Sequence, residues 1–320
     1  MRVLFEFSRE HPKLPFAELE AVLGGERLRW GLCGRDNARK IVILDVASKD
    51  ASFARRLALT KKAVEVFAID KDLADIAAAV YPKVKSARSF RVRCESGTLE
   101  RELGALLHER GLRVKLERPE KTVEVVRFGK GWAAGLGVPL DRDFEPRHPL
   151  KRPFFHPTSL RPKTARLLVN LARVRKRDSV LDPFCGAGGI LLEAGLMGLN
   201  ASGWDVDGRM LDGCRRNLAH FGVKADLERR DALAAARCMF DAVVTDPPYG
   251  KSSSTLGLSP ERLYSGFLSN MKDCLRRGGR LVYALPSGYK PRHRGFTLVS
   301  RFDVRVHRSL TRSIWVLGKT

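Results

Sequence analysis

The chain has 320 residues, 44% of them hydrophobic and 30% charged, with 59 lysines and arginines against 36 aspartates and glutamates and a formal net charge of +23. That length and apolar content fit two domains with packed cores, and no run of eighteen apolar residues occurs, so no membrane-spanning helix is expected. The six cysteines form no Cys-x-x-Cys pair and no cysteine–histidine ligand spacing, and an acid at Glu6 interrupts any signal peptide, so the expectation is a cytoplasmic protein with reduced thiols and no zinc site.

Taken in chain order, RVLFEF (2–7) alternates as a strand, and PFAELEAVLGG (15–25) has the spacing of a helix closed by glycines. KIVILDVA (40–47) and AVEVFAI (63–69) read as strands, DASFARRLALT (50–60) as a helix between them. With LRWGLCG (28–34) as a further strand, the order is βαββαβ, a ferredoxin-like pattern. A second α+β stretch follows. Helices are expected at LADIAAAVY (73–81) and LERELGALLHERG (99–111), strands at SFRVRCE (89–95), RVKLE (113–117), TVEVVRFG (122–129) and GWAAGLGV (131–138).

Residues 139–157, PLDRDFEPRHPLKRPFFHP, carry five prolines that forbid regular structure. They read as a stiff interdomain linker, and the basic residues set between aromatics, Arg147 and Arg152 among them, make it a candidate for touching a nucleic acid. The whole-chain charge agrees. Basic residues number 29 against 22 acidic up to residue 150, and 30 against 14 after it. An excess of this size marks a polyphosphate partner, nucleic acid first.

From residue 158 the rhythm changes to strand–helix alternation. KTARLLVNLARV (163–174) is an amphipathic helix and DSVLDPF (178–184) a buried strand with a glycine-rich exit. GILLEAGLMG (189–198) is a helix, NASGWDVD (200–207) a strand and GRMLDGCRRNLAHFG (208–222) a helix. ADLERRDA (225–232) and MFDAVVTDPPYG (239–250) are strands, YSGFLSNMKDCLRRGG (264–279) a helix closed by glycines, and RLVYALP (280–286) a strand. FDVRVHRSL and TRSIWVLGK (302–319) form a closing antiparallel pair. This predicts a doubly wound sheet, parallel except at its final edge.

In such a sheet ligands bind beyond the carboxyl ends of the strands. Asp182, Asp205, Asp231 and Asp246 all stand at strand ends. A single aspartate there is most often a cap or turn residue, but these share one edge. The loop DPFCGAGG (182–189) has Gly186 and Gly188 but Leu191 in place of the third small residue of the dinucleotide fingerprint. Its acid disfavours a pyrophosphate and suits a cationic or amine-bearing ligand. Asp205, 19 residues after Gly186, is placed to accept the two hydroxyls of a ribose, Asp231 to accept the amine of adenine, and Asp207 is better explained as a helix N-cap. Amine, ribose, adenine and a positive centre together describe S-adenosylmethionine better than NAD.

The VVTDPPYG stretch (243–250) then acquires a task. An exocyclic amine on a base is a poor nucleophile because its lone pair is delocalised into the ring. The Asp246 carboxylate and the carbonyl of Pro247, accepting its two N–H bonds, draw that pair back onto nitrogen. Tyr249 is expected to stack on the base once it has left its helix, with the stiff Pro247–Pro248 step holding ring and carboxylate together.

DPFCGAGG, GWDVD, RRDA and TDPPYG, in that order, resemble the amino-methyltransferases of the Rossmann-like class I kind. HPTSLRPKTARLLVNLA (156–172) resembles the element that covers the cofactor's methionine end in those enzymes. Residues 70–138 after a ferredoxin-like start look like a THUMP module, and the whole chain is similar to the archaeal tRNA guanine-N2-methyltransferases that modify guanosine at position ten. The resemblance implies an N-terminal ferredoxin-like domain (1–69), a THUMP RNA-binding domain (70–138), a linker (139–157) and a methyltransferase domain (158–320). It implies a cofactor site at Thr158, Ser159, Leu160, Asp182, Phe184, Gly186, Gly188, Asp205, Val206, Asp231, Ala232 and Asp246. It places catalysis on Asp246, Pro247 and Tyr249, and substrate contacts on Pro248, Tyr249, Arg147 and Arg152. Its partners are tRNA, gripped by the THUMP module at the acceptor 3′ end, and in some relatives a small zinc-binding activator protein. Two other readings stay open: methylation of adenine N6 or cytosine N4, which poses the same amine problem, and a non-catalytic RNA-binding factor on a retained fold.

Overall fold

The computed structural model describes residues 1–234, 238–249, 259–293, 295–308 and 310–319. Gly250, which closes the TDPPYG motif, and Ser309, in the expected closing pair, lie outside the described residues. The chain forms two compact units: Met1–Pro15, Arg27–Arg55 and Leu59–Asp141 make the first, and Phe16–Glu26, Arg56–Ala58 and Arg142–Thr320 the second. No helix among the described residues is long and apolar enough to cross a membrane.

The first unit is built on one sheet. In chain order come β1 (Arg2–Phe7), α1 (Leu14–Gly25, mostly in the second unit), β2 (Trp30–Asp36), β3 (Ile41–Val46), β4 (Thr60–Asp70) and α2 (Leu73–Val84). β5 (Phe90–Arg93), α3 (Gly97–His108), β6 (Lys121–Phe128) and β7 (Gly131–Gly137) follow. Seven strands lie in the order β2-β3-β1-β4-β7-β6-β5, so the two expected N-terminal segments share a continuous sheet. Leu4, Ile43, Val64, Val126 and Ala133, drawn from both segments, form one buried cluster. Asp72 caps α2 by accepting from the N–H groups of Ala74 and Asp75, and Ile76, Val80 and Val84 of its inner face pack with Leu103 and Leu107 of α3.

Two expectations fail here. Residues 50–60 form no α-helix, only a short 3₁₀ turn at Ser52–Arg56. Asp50 takes the N–H of Ser52, and the Leu59 carbonyl is already paired with the N–H of Ser8, so the chain enters β4 too early for a helix. RVKLE (113–117) is no strand but a single bridge, Phe90 to Val114. Val114 and Leu116 are exposed, so the alternation has no face to bury.

The second unit has α4 (Pro162–Leu171), β8 (Ser179–Asp182), α5 (Gly189–Leu196), β9 (Asn200–Asp205), α6 (Gly208–His220), β10 (Asp226–Arg229) and β11 (Phe240–Thr245). α7 (Pro260–Cys274), β12 (Leu275–Pro286), β13 (Phe296–His307) and β14 (Leu310–Lys319) complete it. Seven strands run in the order β10-β9-β8-β11-β12-β14-β13, parallel from β10 to β12, with β14 antiparallel to both neighbours. The strand order reverses between β8 and β11, which opens a crevice at their carboxyl ends. The expected helix tail Leu275–Gly279 belongs to β12 instead: Leu275 pairs with Phe240, and the register then shifts, with Gly278 at φ +75°.

Residues 16–26 and 56–58 join this unit through a buried polar network. The Glu18 carboxylate accepts from the Ala58 N–H and from Asn170 Nδ2, each at 2.7 Å, while Arg56 donates to Asn170 Oδ1 at 2.7 Å and to the Val174 carbonyl at 2.9 Å. Helix α7 is held by packing. Leu263, Tyr264, Phe267 and Met271 are all nearly inaccessible. At roughly 1.5–3 kcal/mol for each large buried side chain, this stripe outweighs its Ser259 cap, worth about 1 kcal/mol.

Candidate active site

The crevice between β8 and β11 gathers the acids named above. Asp182 ends β8 and is 2% exposed. Its Oδ1 accepts from Thr245 Oγ1 at 2.6 Å and from the Phe184 N–H at 3.2 Å, so it ties the ends of β8 and β11 together. Burial pushes its carboxyl up to about 7 against those two hydrogen bonds, and the charges of Asp205 and Asp246 add to the rise. Asp205 ends β9: Oδ2 accepts from the Gly186 N–H and Oδ1 from the Asp207 N–H, both at 2.9 Å. Burial raises its carboxyl too, against those N–H donors. Asp207 caps α6 by accepting from the Arg209 N–H.

Gly186 and Gly188 have φ of +50° and +82°, backbone that L side chains adopt only with strain, and a Cβ on Gly188 would fall 2.6 Å from Cys214 Sγ. Cys185 is buried in this turn. Phe184 packs edge-on against Phe267 of α7, with ring centroids 5.5 Å apart. Val206 is 36% exposed beside Asp205, and its carbonyl accepts from Arg229. Asp231 lies just past β10 in a turn, with Oδ1 accepting from the Leu233 N–H at 2.9 Å. Ala232 is buried and its carbonyl accepts from Asn270 Nδ2 at 2.8 Å. Thr158 is exposed, with its Oγ1 2.8 Å from His156 Nδ1, Ser159 is half-buried, and the carbonyl of buried Leu160 accepts from Arg152.

At the end of β11 the sequence expectation needs amendment. Asp246 is not an open carboxylate beside a free stacking ring. The Tyr249 hydroxyl donates to its Oδ1, Arg312 Nη2 sits 3.3 Å from its Oδ2, and Arg312 Nε donates to the Tyr249 hydroxyl at 3.0 Å. Burial raises the Asp246 carboxyl, and Arg312 and then the tyrosine oppose it. Pro247 is buried, and the Pro248 carbonyl accepts from the Tyr264 hydroxyl of α7 at 3.1 Å. The side chain keeps a donor on the oxygen that a substrate amine needs.

Arg147 and Arg152, expected to meet substrate, are committed elsewhere. Arg147 Nε donates to Glu193 Oε1 at 2.7 Å, and Arg166 Nε to Glu193 Oε2 at 2.8 Å, with Glu193 wholly inaccessible. Arg152 is 5% exposed and donates to the carbonyls of Arg147 and Leu160. Both hold the proline-rich stretch in place within the second unit, because a buried guanidinium is tolerable only with such partners. Conversely, sequence reading passed over Arg312, Thr245, Asn217 and Asn270. Asn217 grips both the linker, at the N–H and carbonyl of Phe154, and the glycine loop, at the Ala187 carbonyl. An amide on the apolar stripe of a helix was the available signal for both asparagines.

The arrangement fits a donor with a positive centre. The clustered carboxyls of Asp182, Asp205 and Asp246, each raised by burial, favour a cation or a set of amine and hydroxyl donors among them. The left-handed glycines leave the loop bare of side chains there.

A family model described as UPF0020, an RMKL-like methyltransferase domain, matches residues 149–312. The tRNA (guanine(10)-N2)-dimethyltransferase of Methanothermobacter thermautotrophicus is 38% identical over 100% of both chains. Proteins of the same name from Pyrococcus abyssi and Methanocaldococcus jannaschii are 37% and 30% identical over 72% and 97% of this chain and the same shares of their own. Among solved structures, TrmN from Thermus thermophilus superposes with a TM-score of 0.54 at 26% identity over 100% of both chains.

Proposed function

Because the chain belongs to the tRNA (guanine(10)-N2)-dimethyltransferase family, we propose that it transfers methyl groups from S-adenosylmethionine to the exocyclic N2 amine of a guanosine in tRNA, at position ten. The observation that carries this reading is Asp246 at the end of β11, an acceptor fixed at the same sheet edge as Asp182 and Asp205.

Asp205 and Asp231 hold the ribose and the adenine amine, with Val206 and Ala232 lining the adenine, and Thr158, Ser159, Leu160 and Phe184 enclose the methionine end near Asp182, Gly186 and Gly188. When bound, the donor supplies an electrophilic methyl group on a sulfonium. Asp246 and the Pro247 carbonyl accept the two N–H bonds of the guanine amine and hold the nitrogen in line. As the nitrogen lone pair forms the new C–N bond, the electrons of the broken C–S bond stay on sulfur, and the surplus amine proton passes to Asp246 and then to solvent. Tyr249 and Pro248 pack against the extruded base. The amine keeps one N–H after a first transfer, so a second methylation poses the same problem with the Asp246 contact intact.

We assign tRNA binding to the first unit, in its THUMP portion. In the same unit, a cavity of about 260 Å³ where the N-terminal segment meets that portion is lined by Glu6, Arg9 and Arg39 from the former and Glu95 and Arg127 from the latter, chemistry suited to phosphate and base donors. The test is incubation of the purified chain alone with methyl-labelled donor and unmodified tRNA, then digestion to nucleosides. The reading requires label in N2-methylguanosine or N2,N2-dimethylguanosine at position ten, and label in N6-methyladenosine or only in DNA overturns it. Turnover by the chain alone also decides whether an activator subunit is needed.

A further inference from the structure

Arg312 lies on β14 opposite Pro286, at the end where β12 leaves the sheet. Its guanidinium, 17% exposed, joins two members of the D-P-P-Y turn: Nη2 to Asp246 Oδ2 at 3.3 Å and Nε to the Tyr249 hydroxyl at 3.0 Å, with its carbon 5.7 Å from the tyrosine ring centre. The tyrosine hydroxyl donates in turn to Asp246 Oδ1. Two hydrogen bonds and one ion pair therefore link the three side chains in a ring, with each carboxylate oxygen in contact with one partner.

We propose that Arg312 is a positioning residue for methyl transfer. It fixes Asp246 by Oδ2 and so aims Oδ1 at the acceptor, while the Tyr249 hydroxyl holds Oδ1 until the acceptor amine displaces it. The proposal rests on the methyl-transfer reading of this site. An amine N–H and a phenol O–H make the same kind of bond to a carboxylate, so one replaces the other without leaving Oδ1 bare. The displaced hydroxyl still accepts from Arg312 Nε, and the freed ring turns toward the incoming base. A planar fork of donors holds an acid and a phenol in one fixed geometry; an ammonium is a point charge with rotating donors and does not reproduce that geometry.

Arg312 has a second consequence for the acid. The groups facing Asp246 are Arg312 from β14, Tyr249 from its own turn, Tyr264 from α7 and Asp182 from β8. Of these, Arg312 and the Tyr249 hydrogen bond favour the ionised carboxyl that can accept an amine, whereas burial opposes it. Removing the guanidinium lets the acid stay protonated to higher pH.

The test compares the full-length chain with Arg312→Gln and Arg312→Lys under single turnover across pH, with melting curves and donor and tRNA dissociation constants measured alongside. The Gln variant is expected to lose on the order of a hundredfold in rate, to keep both dissociation constants, and to show its acid limb moved to higher pH. The Lys variant is expected to return the acid limb to its original place without restoring the rate. A Gln variant with unchanged rate and acid limb overturns the proposal. If the Gln variant does not fold, the Lys variant decides alone: a rate equal to the unsubstituted chain overturns the proposal, and a lowered rate at an unmoved acid limb supports it. Should the unsubstituted chain methylate no guanine, the substrate reading fails, and the same comparison is then run on whatever amine it does methylate.

Discussion

The N–H of Gly186 donates to Asp205 Oδ2 at 2.9 Å, so the acid at the end of β9 is also the strut that holds the glycine loop after β8. Under the proposed function, cofactor grip and loop shape then depend on one carboxylate. Asp205→Ala should lower S-adenosylmethionine affinity on the order of ten- to a hundredfold, since it removes charge-assisted hydrogen bonds from ligand and loop together. Asp205→Asn, which keeps one acceptor, should lose less. Titration calorimetry measures both, and an alanine variant with unchanged affinity would remove Asp205 from the site.

Asp182 makes stability depend on pH in an unusual direction. Its folded carboxyl titrates near 7 against an ordinary 3.8, so between those values the folded state binds more protons than the unfolded chain. The stability that Asp182 contributes is fully present below the lower value and is lost as pH rises through the upper one, roughly 4 kcal/mol in all. Asp182→Asn keeps an acceptor for Thr245 and should flatten that slope in denaturant titrations between pH 4 and 8 (about the window of the shift). Because a cationic donor favours the ionised acid, its affinity for the unsubstituted chain should rise over the same range.

Gly188 caps α5 at φ +82° and abuts Cys214. Gly188→Ala should cost about 1–3 kcal/mol, part from the left-handed backbone and part from the clash with Sγ. The double variant with Cys214→Ala should recover the clash but not the backbone cost. Urea unfolding of the four proteins in that cycle separates the two contributions, and full recovery in the double variant would show that the backbone costs nothing.

Arg147 tests the correction to the sequence reading. Arg147→Ala leaves the inaccessible Glu193 paired with Arg166, and should destabilise by less than the roughly 3–5 kcal/mol of a buried charge left without any partner. tRNA affinity of the folded protein should stay unchanged in filter binding. A loss of affinity at unchanged stability would return Arg147 to the substrate.

The parts of this molecule that sequence made legible are those governed by short-range rules. Strand–helix alternation marked the second sheet as doubly wound and parallel except at its final edge, and D-P-P-Y marked the end of β11 because two prolines must stop a strand. What escaped depends on partners distant in the chain. Arg312 meets Asp246 across 66 residues only because β14 inserts beside β12. Arg147 and Arg152 looked solvent-borne in a proline-rich linker, yet Glu193, on an otherwise apolar α5, draws one of them inward. DASFARRLALT has helical spacing, but the pairing of Ser8 with Leu59 takes its end into the sheet. Local propensity lost to tertiary hydrogen bonding in that case.

The central claim, that Asp246 receives the acceptor amine, is tested most directly by single-turnover methylation of unmodified tRNA with Asp246→Asn. The substitution is nearly isosteric, so the account predicts a rate loss on the order of 10²–10⁴ that far exceeds any change in the two dissociation constants. A variant that turns over within about tenfold of the unsubstituted chain would contradict it.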